Sequence, residues 1–313
     1  PLWIGLLIVT AGSPAAQAAD GQYFKVEFPA SQQPGELVYG VTYTLWIPAD
    51  VEPIRGIIVH QHGCGSGACQ GGATAAYDLH WQALAARHHC ALLGPSFHQA
   101  DGQDCRAWCD PRRGSEQAFL KSLHDLAEQS GHPEIARAPW CLWGHSGGAF
   151  WASLMQTRYP ERIVAVWLRS GTAFTYWERG EIDRPEIPAA VYGIPTVCNP
   201  GAKERDDQRF RVAWEGGLTM FQAYRAQGGL IAFAPDPRTG HEGGDSRYLA
   251  IPFFDTCLTA RLPTRADQPL QPMPATAGWL AAIAATAAVP AAEFPGNPLE
   301  ASWLPNAEIA RLW

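Results

Sequence analysis

The sequence predicts an α/β protein whose mostly parallel central sheet carries helices on both faces. Three observations predict it. Strand-like and helix-like segments alternate from residue 55 onward. Several of the strand-like segments are apolar throughout, as strands buried on both faces are, and regular β-then-α repetition builds a parallel sheet. Finally, a glycine-flanked serine, Gly144-His145-Ser146-Gly147-Gly148, stands where one such strand meets a helix of small residues.

The elements follow in order. "YFKVEF" (23–28) and "LVYGVTYTLWIP" (37–48) alternate with the period of a half-buried strand and read as an antiparallel opening pair. "RGIIVHQHG" (55–63) is a continuous β-branched run and reads as a buried strand. A helix is expected over 73–89, a strand at "CALLGPS" (90–96), a polar loop over 101–113 and a helix through 115–131. The strand "PWCLWG" (139–144) leads to Ser146 and a helix reaching about Tyr159, and the strand "RIVAVWLRSG" (162–171) precedes an irregular segment, 172–192. The strands "GIPTVCN" (193–199) and "LIAFAPDP" (230–237) bracket a helix near 208–227, and a last long helix follows Gly243. Residues 262–313, rich in Pro and Ala, read as a poorly patterned carboxyl-terminal extension.

A chain of 313 residues has ample length for one large core, and 47% hydrophobic against 17% charged residues places it among globular proteins. The net charge of −7, with no run of Lys or Arg, argues against a nucleic-acid partner. Residues 1–18 resemble the end of a secretory signal: the apolar run Leu2–Val9 precedes the A-x-A site Ala16-Gln17-Ala18, and the run is too short to span a bilayer. The expected arrangement is therefore a leader over 1–18, one α/β domain over 19–261 and the extension over 262–313, with secretion or periplasmic export and no stable membrane association. Eight cysteines suit an oxidising compartment. Cys64, Cys69, Cys105 and Cys109 lie in Gly- or Asp-rich loops where disulfides are expected, whereas Cys90 and Cys141 lie in apolar runs that suit buried thiols. The sequence does not choose the pairing. It also lacks the spacing of a structural metal site, so no metal or other cofactor is expected.

The chemistry centres on Ser146. G-x-S-x-G is the sharp strand-to-helix turn that lifts a serine hydroxyl above a sheet, and its glycines leave room where the helix backbone passes close by. A hydroxyl is a weak nucleophile at neutral pH and needs a base within reach, itself oriented by an acid. In this arrangement the acid and the histidine follow the serine in that order, at the ends of later strands. His241 lies beyond "LIAFAPDP" and Glu204 beyond "GIPTVCN". Asp206, Asp207 and Glu242 compete for the acid; Glu242 adjoins His241 too closely to reach the same ring. The oxyanion hole needs the amide after the nucleophile, Gly147, and one from the loop after the third strand, where His62-Gly63-Cys64-Gly65 offers the Cys64 N–H. Trp108, Tyr176 and Trp177 lie in loops expected to overhang the site as a substrate platform. His60 and His62 read as packing and loop residues.

These features together resemble the α/β-hydrolase superfamily. Its common pattern of strand I-P-T, a Gly seven residues after the Ile and the acid three beyond that falls on Ile194, Gly201 and Glu204, which favours Glu204 over the two aspartates. Within the superfamily, residues 55–258 are similar to secreted esterases of the polyhydroxybutyrate-depolymerase-like and feruloyl-esterase-like kind, through "HGCG", "CRAWCDPRRGSE" and "GHSGGAFWASLMQTRYPERIVAVWLRSG". The histidine context "TGHEGGDSR" and a glutamate acid depart from the polymer depolymerases, where H-x-W is common. The resemblance implies an exported serine carboxylic-ester hydrolase acting through an acyl-enzyme on small or polymeric esters, such as feruloyl or acetyl esters of plant polysaccharide or polyesters. A serine peptidase of the same fold and a non-catalytic binding protein on a hydrolase scaffold are the alternatives.

Overall fold

The structure, a computed structural model, describes residues 20–265, 268–283 and 285–313; the leader expected over 1–18 lies outside them. Strands β1 (Gly21–Phe28) and β2 (Val41–Pro48) pair antiparallel as expected, Gly21 opposite Pro48 and Phe28 opposite Val41. They lead into β3 (Gly56–Gln61), β4 (Cys90–Phe97), β5 (Trp140–His145), β6 (Ile163–Arg169), β7 (Thr196–Asn199) and β8 (Ile231–Phe233). The eight-stranded sheet has the order β1-β2-β4-β3-β5-β6-β7-β8. β2 pairs antiparallel with β4, and every pair from β4 to β8 is parallel.

Two apolar layers explain the apolar runs. Ile57 and Val59 of β3 face a cluster shared with Phe119 and Leu123 of α4 (Ser115–Ser130), Trp151 and Met155 of α5 (Gly147–Arg158) and Phe221 of α7 (Arg211–Ala226). Ile58, one residue out of phase, faces the opposite cluster with Trp81 of α2 (Leu79–Arg87) and Phe253 and Phe254 of α8 (Arg247–Arg261). Alternate side chains of a strand point to opposite faces, so a strand clothed on both must be apolar at every position. α5 is buried from Gly147 to Thr157 and so has no polar stripe.

Three expectations are corrected. The helix expected over 73–89 is two helices, α1 (Ser66–Ala75) and α2, because the Asp78 carboxylate accepts from the amides of His80 (3.0 Å) and Trp81 (3.4 Å) and starts a new helix. The Gly-rich start of α1 reads as a loop in the sequence, yet a Cβ on Gly72 would lie 1.6 Å from the Pro95 carbonyl oxygen, so helix and strand pack only through glycine. The polar loop over 101–113 contains the short helix α3 (Arg106–Cys109) and ends in a 3-10 turn (Pro111–Arg113), and α6 (Phe174–Glu178) interrupts the segment over 172–192.

The extension after residue 262 also has structure. β9 (Trp279–Ala281), β10 (Val289–Pro290) and β11 (Ser302–Leu304) form a small antiparallel sheet of order β10-β9-β11, followed by α9 (Ala307–Leu312). Leu304, Ala281 and Ile309 join the cluster beneath α8. The buried Arg225 of α7 donates to the Ala301 carbonyl at 2.8 Å, and Ser302 Oγ accepts the Phe233 amide of β8 at 3.0 Å. These strands are too short to show a period, so composition alone could not reveal them.

Candidate active site

Ser146 occupies the turn between β5 and α5 with φ 54° and ψ −116°, a conformation costly for a residue with a Cβ. The turn is held from both sides. Its amide donates to the Arg169 carbonyl at the end of β6 (2.8 Å), and its carbonyl accepts from Phe150 in α5 (3.0 Å). A Cβ on Gly144 would lie 2.3 Å from the Gly148 carbonyl oxygen, which is why the motif brackets the serine with glycine.

His241 and Glu204 converge on this turn from the loops after β8 and β7. His241 Nε2 is 2.8 Å from Ser146 Oγ, and its Nδ1 is 2.6 Å from Glu204 Oε1. Glu204 is 0% exposed. The rival acids point elsewhere: Asp207 Oδ1 accepts the amides of Arg209 (2.8 Å) and Phe210 (3.1 Å), and Glu242 Oε2 turns back to the Gly240 amide (3.0 Å). Asp206 is exposed.

Three further residues hold the histidine loop. Phe210 stacks on the His241 ring with centroids 3.8 Å apart and an interplanar angle of 8°. His145, the variable residue of the serine motif, donates Nε2–H to the His241 carbonyl at 2.6 Å. Burial and then the neighbouring His241 hold His145 down at about 3, so it serves as a neutral donor. Arg169, fully buried, reaches Thr239 Oγ1 (2.7 Å), the Glu242 carbonyl (2.6 Å), the Gly240 carbonyl (3.3 Å) and both Asn199 oxygens (3.1 and 3.2 Å). One guanidinium thereby joins the end of β7 to the loop that carries His241.

The amides of Gly147 and Cys64 donate to no other group among the described residues. The loop bearing Cys64 presses on the serine: a Cβ on Gly63 would lie 2.8 Å from Ser146 Cβ, and one on Gly147 would lie 2.2 Å from Cys64 Sγ. Cys64 is joined to Cys105 in a disulfide with Cα atoms 5.6 Å apart. The other six cysteines are buried thiols, Cys69 and Cys109 among them, so of the four expected in disulfides only two pair. Beside these residues opens a cleft of about 350 Å³, with Phe150, Tyr176, Phe210, Arg106 and Arg209 in its walls.

No protein-family model matches the chain, and no curated protein matches it. Its likeness is to solved structures. A ferulic acid esterase superposes with a TM-score of 0.51 at 13% identity, over 76% of this chain and 99% of that one. Poly(aspartic acid) hydrolase-1 from Sphingomonas sp. KT-1 gives 0.50 at 14% identity, over 75% and 98%. A thermostable esterase gives 0.48 at 17%, over 72% of this chain and 56% of that one, so this chain spans just over half of that protein's length. The chain has the α/β-hydrolase fold.

In this fold, Ser146, Glu204 and His241 sit at the carboxyl ends of β5, β7 and β8, in the chain order that a nucleophile, acid and base follow there. The aromatic platform needs correction. Tyr176 lines the cleft, but Trp108 is 0% exposed, stacked on Phe97 at 4.4 Å with its indole N–H on Gln99 Oε1 at 2.7 Å. Trp177 is 3% exposed and packs edge-on against Phe174. Both loops fold back on the core, because burying an indole outweighs presenting it to water. His60 packs between Trp81 (5.0 Å) and Trp143 (4.1 Å), and burial drives its pKa well down. Sequence reading missed Phe210, Arg169 and the two cleft arginines. Only Arg169 left a signal, a charge at the end of a strand otherwise apolar throughout.

Proposed function

We propose that the protein is a serine carboxylic-ester hydrolase. The hydrogen-bonded chain from Ser146 through His241 to Glu204 carries this reading. His241 Nε2 takes the Ser146 proton as Oγ attacks the ester carbonyl, and the buried Glu204 carboxylate stabilises the imidazolium that forms. The Gly147 and Cys64 amides receive the oxyanion; losing one such donor typically costs about 3 kcal/mol of transition-state stabilisation. The imidazolium returns the proton to the leaving alcohol, and water attacks the acyl-enzyme by the same steps to free Ser146. No step calls for a cofactor.

The reading includes export, supported by the leader-like sequence over 1–18 and by the Cys64–Cys105 disulfide, which persists in oxidising compartments. It also includes feruloyl or acetyl esters of plant polysaccharide, or polyesters, as substrates; the likeness to a ferulic acid esterase and the aromatic cleft wall of Phe150, Tyr176 and Phe210 support that class. The test is a p-nitrophenyl butyrate assay on oxidised protein: a burst of p-nitrophenol followed by steady turnover, both lost in Ser146→Ala. Absence of any p-nitrophenol release, burst or steady, from the folded, oxidised wild type overturns the proposal in favour of a binding protein.

A further inference from the structure

The charge on the cleft walls goes further than the catalytic chain and says what kind of ester fits. The protein as a whole is acidic, at −7, yet two guanidinium groups, Arg106 and Arg209, line the cleft that holds Ser146. They stand on different walls. Arg106 follows Cys105, whose disulfide to Cys64 ties it to the oxyanion side. Arg209 lies on the histidine side, its guanidinium 4.8 Å from the centroid of the Phe210 ring that stacks on His241.

Arg106 is only weakly paired, and Arg209 is not paired with any described residue. The one carboxylate in the lining, Asp104, is shared between two cations, 3.8 Å from Arg106 Nε and 3.6 Å from Arg113 Nη1. The first of these pairs is long and about half exposed on each side (43% and 54%), the kind of contact that contributes little and yields readily to a better partner. Arg209 forms no ion pair with any described residue. Its neighbour Asp207 spends its Oδ1 capping the Arg209 and Phe210 amides. A guanidinium presents a planar fork that matches a carboxylate, and a concave wall focuses its field.

We propose that this cleft selects esters that carry a carboxylate, with Arg209 and Arg106 as the groups that bind it. This rests on the ester-hydrolase reading above. The substrate class is then half-esters of dicarboxylic acids and esters whose alcohol bears an acid, alone or in an acidic oligomer. The carboxylate lies on one of the two arginine walls while the scissile carbonyl meets Ser146, and the two guanidinium charges draw anionic substrate to a chain whose overall charge would otherwise repel it.

The experiment compares matched esters on the oxidised protein at low ionic strength. One pair is p-nitrophenyl hemisuccinate against p-nitrophenyl butyrate; the other is 4-carboxyphenyl butyrate against phenyl butyrate. The readout is the ratio of kcat/KM within a pair, which cancels any loss of folded enzyme. At least one ratio is expected to favour the anionic ester by about tenfold, the scale of one charge-assisted hydrogen bond, and to shrink as salt is raised. Arg106→Gln with Arg209→Gln should bring it toward one, and the Lys variants should restore part of it. Ratios at or below one, with the neutral esters turned over, overturn the anionic selectivity and leave the ester hydrolase standing. A preference untouched by the Gln variants removes the two arginines as its cause. No turnover of any of the four esters overturns the underlying reading instead.

Discussion

Replacing Glu204 by Gln removes one charge from the catalytic chain and almost nothing else. The side chain is 0% exposed, its Oε1 lies 2.6 Å from His241 Nδ1, and its Oε2 has no hydrogen-bond partner among the described residues. The amide fits the same space, so packing is preserved. What changes is the stabilisation of the imidazolium that forms when Ser146 gives up its proton. Two unit charges about 4 Å apart at an effective dielectric of about 20 attract by about 4 kcal/mol, which is about a thousandfold in rate. An amide NH₂ placed against Nδ1 also favours the tautomer with its proton on Nε2, facing Ser146, and that raises the expected loss toward ten-thousandfold. Stopped-flow measurement of kcat on p-nitrophenyl butyrate for Glu204→Gln, Asp206→Asn and Asp207→Asn reads the effect. Asp206 is exposed and Asp207 caps the Arg209 and Phe210 amides, so their variants should stay within about twofold of wild type. A Glu204→Gln enzyme within tenfold of wild type, or an Asp207→Asn enzyme as impaired as it, refutes the reasoning.

Arg169→Met should lower kcat on p-nitrophenyl butyrate by about a hundredfold with KM little changed, because the Thr239–Glu242 loop loses the guanidinium that sets His241, and a misplacement of about 1 Å costs on that order. Lysine at 169 should not restore it, since one ammonium cannot span Asn199 and the Glu242 carbonyl together; equal kcat in wild type and Met variant sinks the positioning role. Acid should destabilise the protein through its buried histidines. His60, His62, His88 and His145 are all held below the ordinary histidine value by burial above all, His145 at about 3. A group depressed on folding takes up its proton on unfolding, so its contribution is complete above about pH 6.5 and is lost as pH falls toward the folded value. Each histidine contributes a slope of up to about 1.4 kcal/mol per pH unit in that window. The urea midpoint should therefore drop between pH 7 and pH 5, and a flat or rising midpoint contradicts the account.

Local signals in the chain singled out Ser146 because the demands of its turn are local. A sharp turn needs glycine at fixed offsets, a buried strand needs an unbroken apolar run, and both are visible within a few residues of Ser146. Glu204 and His241 were legible for a related reason: chain order and strand ends limit where each partner can stand, and few residue types serve. The same economy singled out the "HGCG" loop, which the structure brings against Ser146.

Tertiary structure decided the rest, because it turned on which distant surfaces meet. Trp108 and Trp177 looked like platform residues in polar segments, and only their packing against Phe97 and Phe174 shows that they face inward. Cys64 pairs with Cys105, 41 residues away, while Cys109, whose sulfur lies within 4.8 Å of both, stays a thiol; spacing carries no such information. The sheet built by β9 to β11 forms from strands of two or three residues that draw their stability from α7, β8 and α8 rather than from their own pattern. The opposed placement of Arg106 and Arg209 around one serine is of the same kind. Residue identity supplied the charges, but burial and distance, set by contacts far apart in the chain, gave them a shared cleft.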